Sequence, residues 1–210
     1  TEDYNNQNAL MRFKHPPCRE ILGVGSATSV LHKNVQNIIQ KLQIACPFRY
    51  AYIRGIFSDG MSFCSRNFEG NLTFRFSMID EVLDFLTSVN LMPVLSFTYM
   101  PRALAAENQD TAFQDGYYIC EPTDLGEWRL VVTAFLEHIT GRYGTDNVKK
   151  WIFLPWVQLD SKNRHLGFAD ECAFFEFYKT SYLAVKNFCP EFFVTSPQIY
   201  PSFPHARIAH

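Results

Sequence analysis

Charge of either sign is scarce in this 210-residue chain. Only 19% of residues are charged, and 19 Lys and Arg nearly balance 21 Asp and Glu, for a formal net charge of −2 and a pI near 6.3. Without an excess of cations to neutralise phosphates, direct nucleic-acid binding by this segment is not expected. Lys149-Lys150 is the only adjacent basic pair and reads as a solvated strand entrance. The six cysteines, at 18, 46, 64, 120, 172 and 189, form no C-x-x-C pair and no metal-like cluster. That pattern suggests no zinc site and suits reduced thiols in the cytoplasm; neither a metal nor a cofactor is expected. Also missing are a signal-peptide core and any apolar run of about 18 residues, so neither secretion nor membrane spanning has support.

What is present is a large apolar fraction: 47% hydrophobic and 16% aromatic residues, enough to bury the core of one α/β domain or of a large piece of one. The first residue is Thr1, and the lead Thr1-Glu2-Asp3-Tyr4-Asn5-Asn6-Gln7-Asn8 is polar. Residues 1–18 are therefore expected to be a linker or polar lead of a longer polypeptide, and 19–210 the folded portion.

Ile21-Leu22-Gly23-Val24-Gly25-Ser26-Ala27 predicts a short strand, after which Val35, Ile38, Ile39 and Leu42 recur at helical spacing. Gly23-x-Gly25 lacks the third glycine of a dinucleotide fingerprint and reads as close backbone packing at a strand end. Residues 48–57 form a second strand by aromatic and β-branched content, broken by Ser58-Asp59-Gly60. Ser77 followed by Asp80 and Glu81 offers a capping-box-like start to a helix with Ile79, Val82, Leu83 and Leu86 on one face. Residues 92–101 predict a third strand, with Pro93 at its start and Pro101 at its end.

A polar loop, roughly 102–122, precedes a helix capped by Thr123-Asp124. Trp128, Val132, Phe135, Leu136 and Ile139 are its buried face, and it ends near Gly141 and Gly144. Trp151 to Asp160 is strand four, entered through Asp146-Asn147-Val148. Asp170 starts a helix carrying Phe174, Phe175, Tyr178, Tyr182 and Val185, and residues 192–196 are strand five. Five apolar strands alternating with four helices imply parallel βαβ units covered on both faces. A complete eight-unit barrel needs about 250 residues, so the chain is expected to hold the first five strands of a (β/α)8 TIM-barrel-like α/β fold.

Gly23-Val24-Gly25-Ser26-Ala27, then Arg49-Tyr50 through Gly55-Ile56-Phe57-Ser58-Asp59-Gly60-Met61, then Met100-Pro101-x-Ala103-Leu104-Ala105, then Arg142-Tyr143-Gly144, resembles glycoside hydrolase family thirty-nine, the β-xylosidases and α-L-iduronidases. The resemblance implies a (β/α)8 barrel and a retaining mechanism, which needs two carboxyl groups roughly 5 Å apart. In the family the acid/base Glu closes strand four in the pattern Trp-Asn-Glu-Pro. Here Trp156 is kept, but the Asn position is Val157, the Glu position is Gln158 and the Pro position is Leu159. A Gln amide has no useful proton to donate, and losing general acid/base help costs on the order of 10²- to 10⁴-fold. The family's strand-two His aligns with Arg54, its strand-three Glu with Ser96, and the second Asp of Ser-Asp-Asp-Met with Gly60. No Asn-Glu pair exists anywhere in the chain, so no catalytic residue is assigned.

The resemblance also implies a setting, since similar non-catalytic barrels occur in bacterial AraC-type transcription regulators. The expected function is then a sugar-sensing or regulatory domain, with DNA contacted only by parts of the polypeptide outside this chain. Candidate ligand-binding residues at the strand C-terminal ends are Arg54, Asp59, Tyr99, Trp156, Gln158 and Asp160. Each has a second reading. Arg54 binds a sugar acid or phosphate, or neutralises a carboxylate inside the barrel. Tyr99 and Trp156 stack on a pyranose, or pack in the core. Asp59 and Asp160 hold a hydroxyl, or serve turns and caps, and Gln158 bonds a hydroxyl or fills the ancestral acid's space. Two other functions stay open: a divergent active glycosidase, and a barrel that only spaces or dimerises other modules. Five strands with two open edges also lead to the expectation of a homo-oligomer.

Overall fold

The computed structural model describes residues 20–105, 111–112, 117–156 and 167–196. Its centre is a five-stranded parallel sheet made by β1 (Ile21–Ser26), β2 (Tyr50–Arg54), β5 (Met92–Ser96), β8 (Ile152–Leu154) and β9 (Phe193–Val194), in that spatial order. Chain order and spatial order agree, as successive right-handed crossovers of a singly wound barrel require. The crossovers carry α1 (Ala27–Val30), α2 (Lys33–Ala45), α3 (Ser77–Ser88), α4 (Leu125–Tyr143), α5 (Thr145–Val148) and α6 (Glu171–Phe188). Two small antiparallel hairpins interrupt them: β3 (Cys64–Arg66) with β4 (Leu72–Phe74), and β6 (Thr111–Ala112) with β7 (Tyr117–Tyr118). The second falls inside the segment expected to be a plain polar loop.

Strand alternation sorts residues onto the two faces. In β2, Ala51 and Ile53 are fully buried toward the helices, whereas Tyr50, Tyr52 and Arg54 are partly exposed on the opposite face. The paired register sets Gly23, Tyr52, Val94, Ile152 and Phe193 level across the sheet. Most of this row lines a groove of about 450 Å³ on the concave side, together with Ile21, Leu154, Thr195 and Ser196. Two residues further along β2 and β5 stand Arg54 and Ser96, and Ser26, three residues beyond Gly23 across a bulge in β1, pairs with Arg54. The concave face is therefore apolar at its base and polar at its mouth.

The opposite face packs on the helices around Phe57, whose ring centroid lies 5.1 Å from those of Phe63, Phe97 and Phe135 and 5.7 Å from Trp128. Trp128, Phe135, Leu136 and Ile139 are buried on α4, as their spacing predicts. Asp124 caps that helix through the amides of Gly126 and Glu127, and Gly144 ends it at φ 81°. Asp170 likewise caps α6, accepting from Ala173 N at 2.8 Å.

Several local expectations are corrected. Ser77 is the first residue of α3 and not its cap; Phe76 holds the cap position without a side-chain hydrogen bond. The entrance to strand four is helical, as α5. Ile38 and Leu42 are 58% and 39% exposed, because α2 turns Gln36 and Ile39 inward instead. The Gln36 amide is satisfied by donating to the Val30 carbonyl at 3.0 Å. On α6, Phe175 and Tyr182 face outward while Phe174, Phe177, Ala184 and Val185 take the buried face. Both edge strands, β1 and β9, pair on one side only among the described residues.

Candidate functional site

The C-terminal ends of β1, β2 and β5 converge on a polar mouth. β1 ends in Ser26, whose Oγ lies 2.9 Å from Thr28 Oγ1 and 2.7 Å from Ser29 Oγ, and which accepts from Ser29 N at 3.2 Å as the cap of α1. Thr28 Oγ1 continues this chain of hydroxyls to Tyr117 Oη at 3.4 Å. These hydroxyls were outside the sequence-based set, although the Ser26-Ala27-Thr28-Ser29 cluster directly after an apolar strand was a visible signal.

Arg54 closes β2 in register with Ser26, on the same face as Tyr52. Burial pushes the Tyr52 phenol above its ordinary pKa, while the Arg54 guanidinium and a hydrogen bond with Ser96 pull against that shift and Tyr99 adds to it. The chain then leaves the strand through Gly55 at φ 71°, a conformation that favours glycine. A Cβ at this position would lie 3.3 Å from Tyr99 Cδ2. Gly55 N donates to the Thr98 carbonyl, and Ser58 Oγ donates to Gly55 O at 2.7 Å, so the turn after Arg54 is tied to the end of β5.

Ser96, where the resemblance places a strand-three Glu, is fully buried. Its hydroxyl donates to Thr98 Oγ1 at 3.0 Å and accepts from Thr98 N at 3.3 Å. The side chain thus holds the backbone ahead of the cis Thr98–Tyr99 peptide. Tyr99 is only 7% exposed, and its ring stacks on Tyr117 with centroids 4.3 Å and planes 14° apart. Most of the face expected to meet a sugar is therefore occupied by a second tyrosine.

Asp59 opens a 3-10 turn, Asp59–Met61, and accepts from Arg102 N at 3.0 Å. Burial raises its carboxyl pKa, opposed by that hydrogen bond and by the Arg102 charge. It joins two mouth loops, the turn role foreseen as its second reading. Gly60, where the resemblance has an Asp, leaves room for Thr28: a Cβ there would come within 2.6 Å of Thr28 Cγ2.

Trp156 is fully buried, with its ring packed edge-on to Phe168 and Phe177 at 5.4 Å and 5.2 Å. Its Nε1 has no hydrogen-bond partner among the described residues. Its position fits the second reading given for it, packing in the core. Gln158 and Asp160, with Val157, lie outside the described residues. Among the described residues no group of three or more His, Cys, Asp or Glu is placed to hold a metal ion, and no helix is long and apolar enough to cross a membrane.

The described part of the mouth thus combines hydroxyl groups, which exchange hydrogen bonds with sugars in either direction, with the Arg54 guanidinium and a tyrosine pair. Comparison with known proteins agrees with this geometry. A β-xylosidase from Caldicellulosiruptor saccharolyticus is 32% identical over 177 residues, 83% of this chain and 36% of its own length. A second, from Geobacillus stearothermophilus, is 28% identical over 181 residues. The chain thus spans about a third of the length of these curated relatives. Among solved structures, a monomeric β-xylosidase from Caulobacter crescentus superimposes with a TM-score of 0.79 at 25% identity, covering 85% of this chain and 36% of that one. The GH39 enzyme from Xanthomonas axonopodis pv. citri also reaches 0.79, at 23% identity, covering 85% and 35%. A family model described as glycosyl hydrolases family 39 matches residues 5–204. With that match across nearly the whole chain, and with five consecutive parallel strands in barrel order, the chain belongs to glycosyl hydrolases family 39.

Proposed function

We propose that this chain contributes part of a sugar-binding barrel that has given up hydrolysis, serving as the sensing domain of an AraC-type regulator in the cytoplasm. The observation that carries the reading is Gln158, an amide directly after Trp156-Val157, where the resemblance puts the proton-donating Glu. Three further positions support it. Arg54 and Ser96 replace the His and Glu of strands two and three, and Gly60 gives its space to Thr28. The Ser96 hydroxyl donates to Thr98. The free thiols of Cys46, Cys64, Cys172 and Cys189 suit a reducing compartment. DNA would be contacted by other parts of the polypeptide.

A second reading, a divergent active hydrolase acting on β-xylosides, is favoured by the 32% identity to a β-xylosidase over most of the chain. Aryl β-xyloside turnover by the full polypeptide separates the two. The sensing reading expects no hydrolysis above background in the wild type, together with a rise in thermal stability with a sugar, since a ligand bound to the native state stabilises it by mass action. Hydrolysis by the wild-type protein would overturn it. The Gln158→Glu variant adds a control: activity gained there would show that the remaining machinery still accepts an acid.

A further inference from the structure

The N-terminal end of the sheet, opposite the mouth, carries a second groove, of about 500 Å³. Its walls come from three places in the chain: Gln43 and Ile44 in the last turn of α2, Pro47 and Phe48 in the loop before β2, and Val89-Asn90 in the turn before β5. None of the described lining residues is charged. The floor is fixed by one side chain. The Gln43 amide donates to the carbonyls of Phe48 and Val89, both at 3.1 Å, and its oxygen accepts from Phe48 N at 2.6 Å, which ties α2 to both neighbouring turns. A groove held in this way needs little reorganisation to receive a ligand. Ile44 in its wall is 85% exposed. Singly exposed apolar residues are ordinary, but Ile44 shares one concave surface with Pro47, Phe48 and Val89, and all of them gain from being covered.

The chain that enters β1 arrives at this same end. The Glu20 carbonyl accepts from Tyr50 N at 2.8 Å, and Tyr50 is two residues beyond Phe48. Residues 1–19 lie outside the described ones, but their sequence holds one apolar run, Ala9-Leu10-Met11 with Phe13. The six residues from Lys14 to Arg19 span up to about 20 Å when extended, ample to bring Phe13 to a wall next to Tyr50. The family 39 match begins at residue 5 and so runs through this segment, which favours a part of the folded domain over a linker. A tether this short supplies an effective concentration on the order of millimolar, so a weak intrinsic affinity suffices, and a second copy competes only near that protein concentration. The uncharged lining gives a charged partner nothing to pair with.

We propose that the segment from Leu10 to Phe13 seats in this groove, with its apolar side chains against Ile44, Phe48 and Val89, and fixes the path by which the polypeptide enters the barrel. This holds whatever the mouth binds. The test is thermal unfolding and hydrogen exchange on the full polypeptide. In an empty groove Ile44 is already in water and Ile44→Ser changes nothing; with the segment seated, that substitution should lower the melting temperature by about 2–4 °C. Phe13→Ser should lower it similarly and speed exchange of the Phe48 amide about tenfold or more. The double variant should lose no more than either single one, because both remove the same contact. Arg12→Gln should match the wild type.

Phe13→Leu, which keeps an apolar side chain, should lose less than Phe13→Ser and serves where the serine variant folds poorly. An Ile44→Ser variant that melts like the wild type, or losses from the two serine variants that simply add, overturns the seating. A dimer in sedimentation that Ile44→Ser dissociates and Phe13→Ser does not would show the groove filled by another surface of a second copy, and overturns it equally.

Discussion

The ring of Tyr99 lies flat on that of Tyr117, centroids 4.3 Å apart, joining the end of β5 to the β6–β7 hairpin. The two elements meet again where Met100 bridges Tyr118, its amide donating to the Tyr118 carbonyl at 3.0 Å. An aromatic pair of this kind is worth about 0.5–1.5 kcal/mol beyond the area it buries. Tyr117→Ala is therefore expected to lower the unfolding free energy by about 1–2 kcal/mol in urea titration. Tyr117→Phe, which keeps the stack and loses only the long 3.4 Å contact to Thr28, should stay within about 0.5 kcal/mol of the wild type. Equal losses in the two variants would show that the stack contributes nothing.

Trp128 offers a second test, inside the core. Its Nε1 donates to Ser181 Oγ at 2.8 Å, and that hydroxyl donates on to the Phe177 carbonyl at 2.9 Å, with both residues fully buried between α4 and α6. Ser181→Ala leaves the indole N–H without a partner, at a cost of about 1–3 kcal/mol. Trp128→Phe removes the donor as well, so the double variant should lose less than the sum of the single losses. Additive losses in that cycle would mean the hydrogen bond is energetically silent.

Two glycines should respond in opposite directions to the same substitution. Gly55→Ala forces a Cβ into a positive-φ turn and against Tyr99, and should cost about 1 kcal/mol or more. Gly141→Ala, inside α4 with nothing within 4 Å of the new Cβ, should raise stability by about 0.5–1 kcal/mol. Thermal denaturation of the two variants side by side would expose any error in the backbone assignment.

Acid should destabilise the fold through two exposed ion pairs that link distant segments. A hydrogen bond from Arg142, with help from Tyr143, holds the Asp84 carboxyl below the ordinary value of 3.8, and Arg66 does the same for Glu127 below 4.5. Groups whose pKa is lower in the folded state stabilise above the unfolded value and lose that contribution as pH falls through the folded one. Asp59 acts the other way: burial raises its pKa, so protonation on acidification favours the folded state. The urea midpoint is expected to be level from about pH 7 to 5 and to fall below about pH 4. The drop should be smaller in an Arg66→Gln, Arg142→Gln variant and in high salt, since both pairs are exposed. A midpoint that rises toward pH 3 would contradict the assignment.

The thiols differ in a way that labelling can read. Burial pushes the Cys64 thiol up to about 12, so it should resist a thiol reagent in the native state while exposed Cys172 reacts. Modification of Cys64 at the rate of Cys172 would place β3 outside the core.

Taken by itself, the amino-acid order determined the alternation of five strands with helices, the caps at Asp124 and Asp170, the stop at Gly144 and the family likeness. These depend on contacts within a few residues and on period, which a linear chain carries openly. It also determined the identity of residue 158, whatever surrounds that side chain. Tertiary structure alone decided that Trp156 lies in the core and not in the cleft, that Tyr99 is covered by Tyr117, that Ile38 and Leu42 face outward, and that Asp59 bonds the Arg102 amide. Each of those outcomes turns on a partner distant in sequence, or on which neighbouring element covers a face, and neither leaves a periodic trace in the chain. Arg54 needed both kinds of information: its charge was legible from the start, but whether a carboxylate had already claimed it depended on the packing of the barrel mouth.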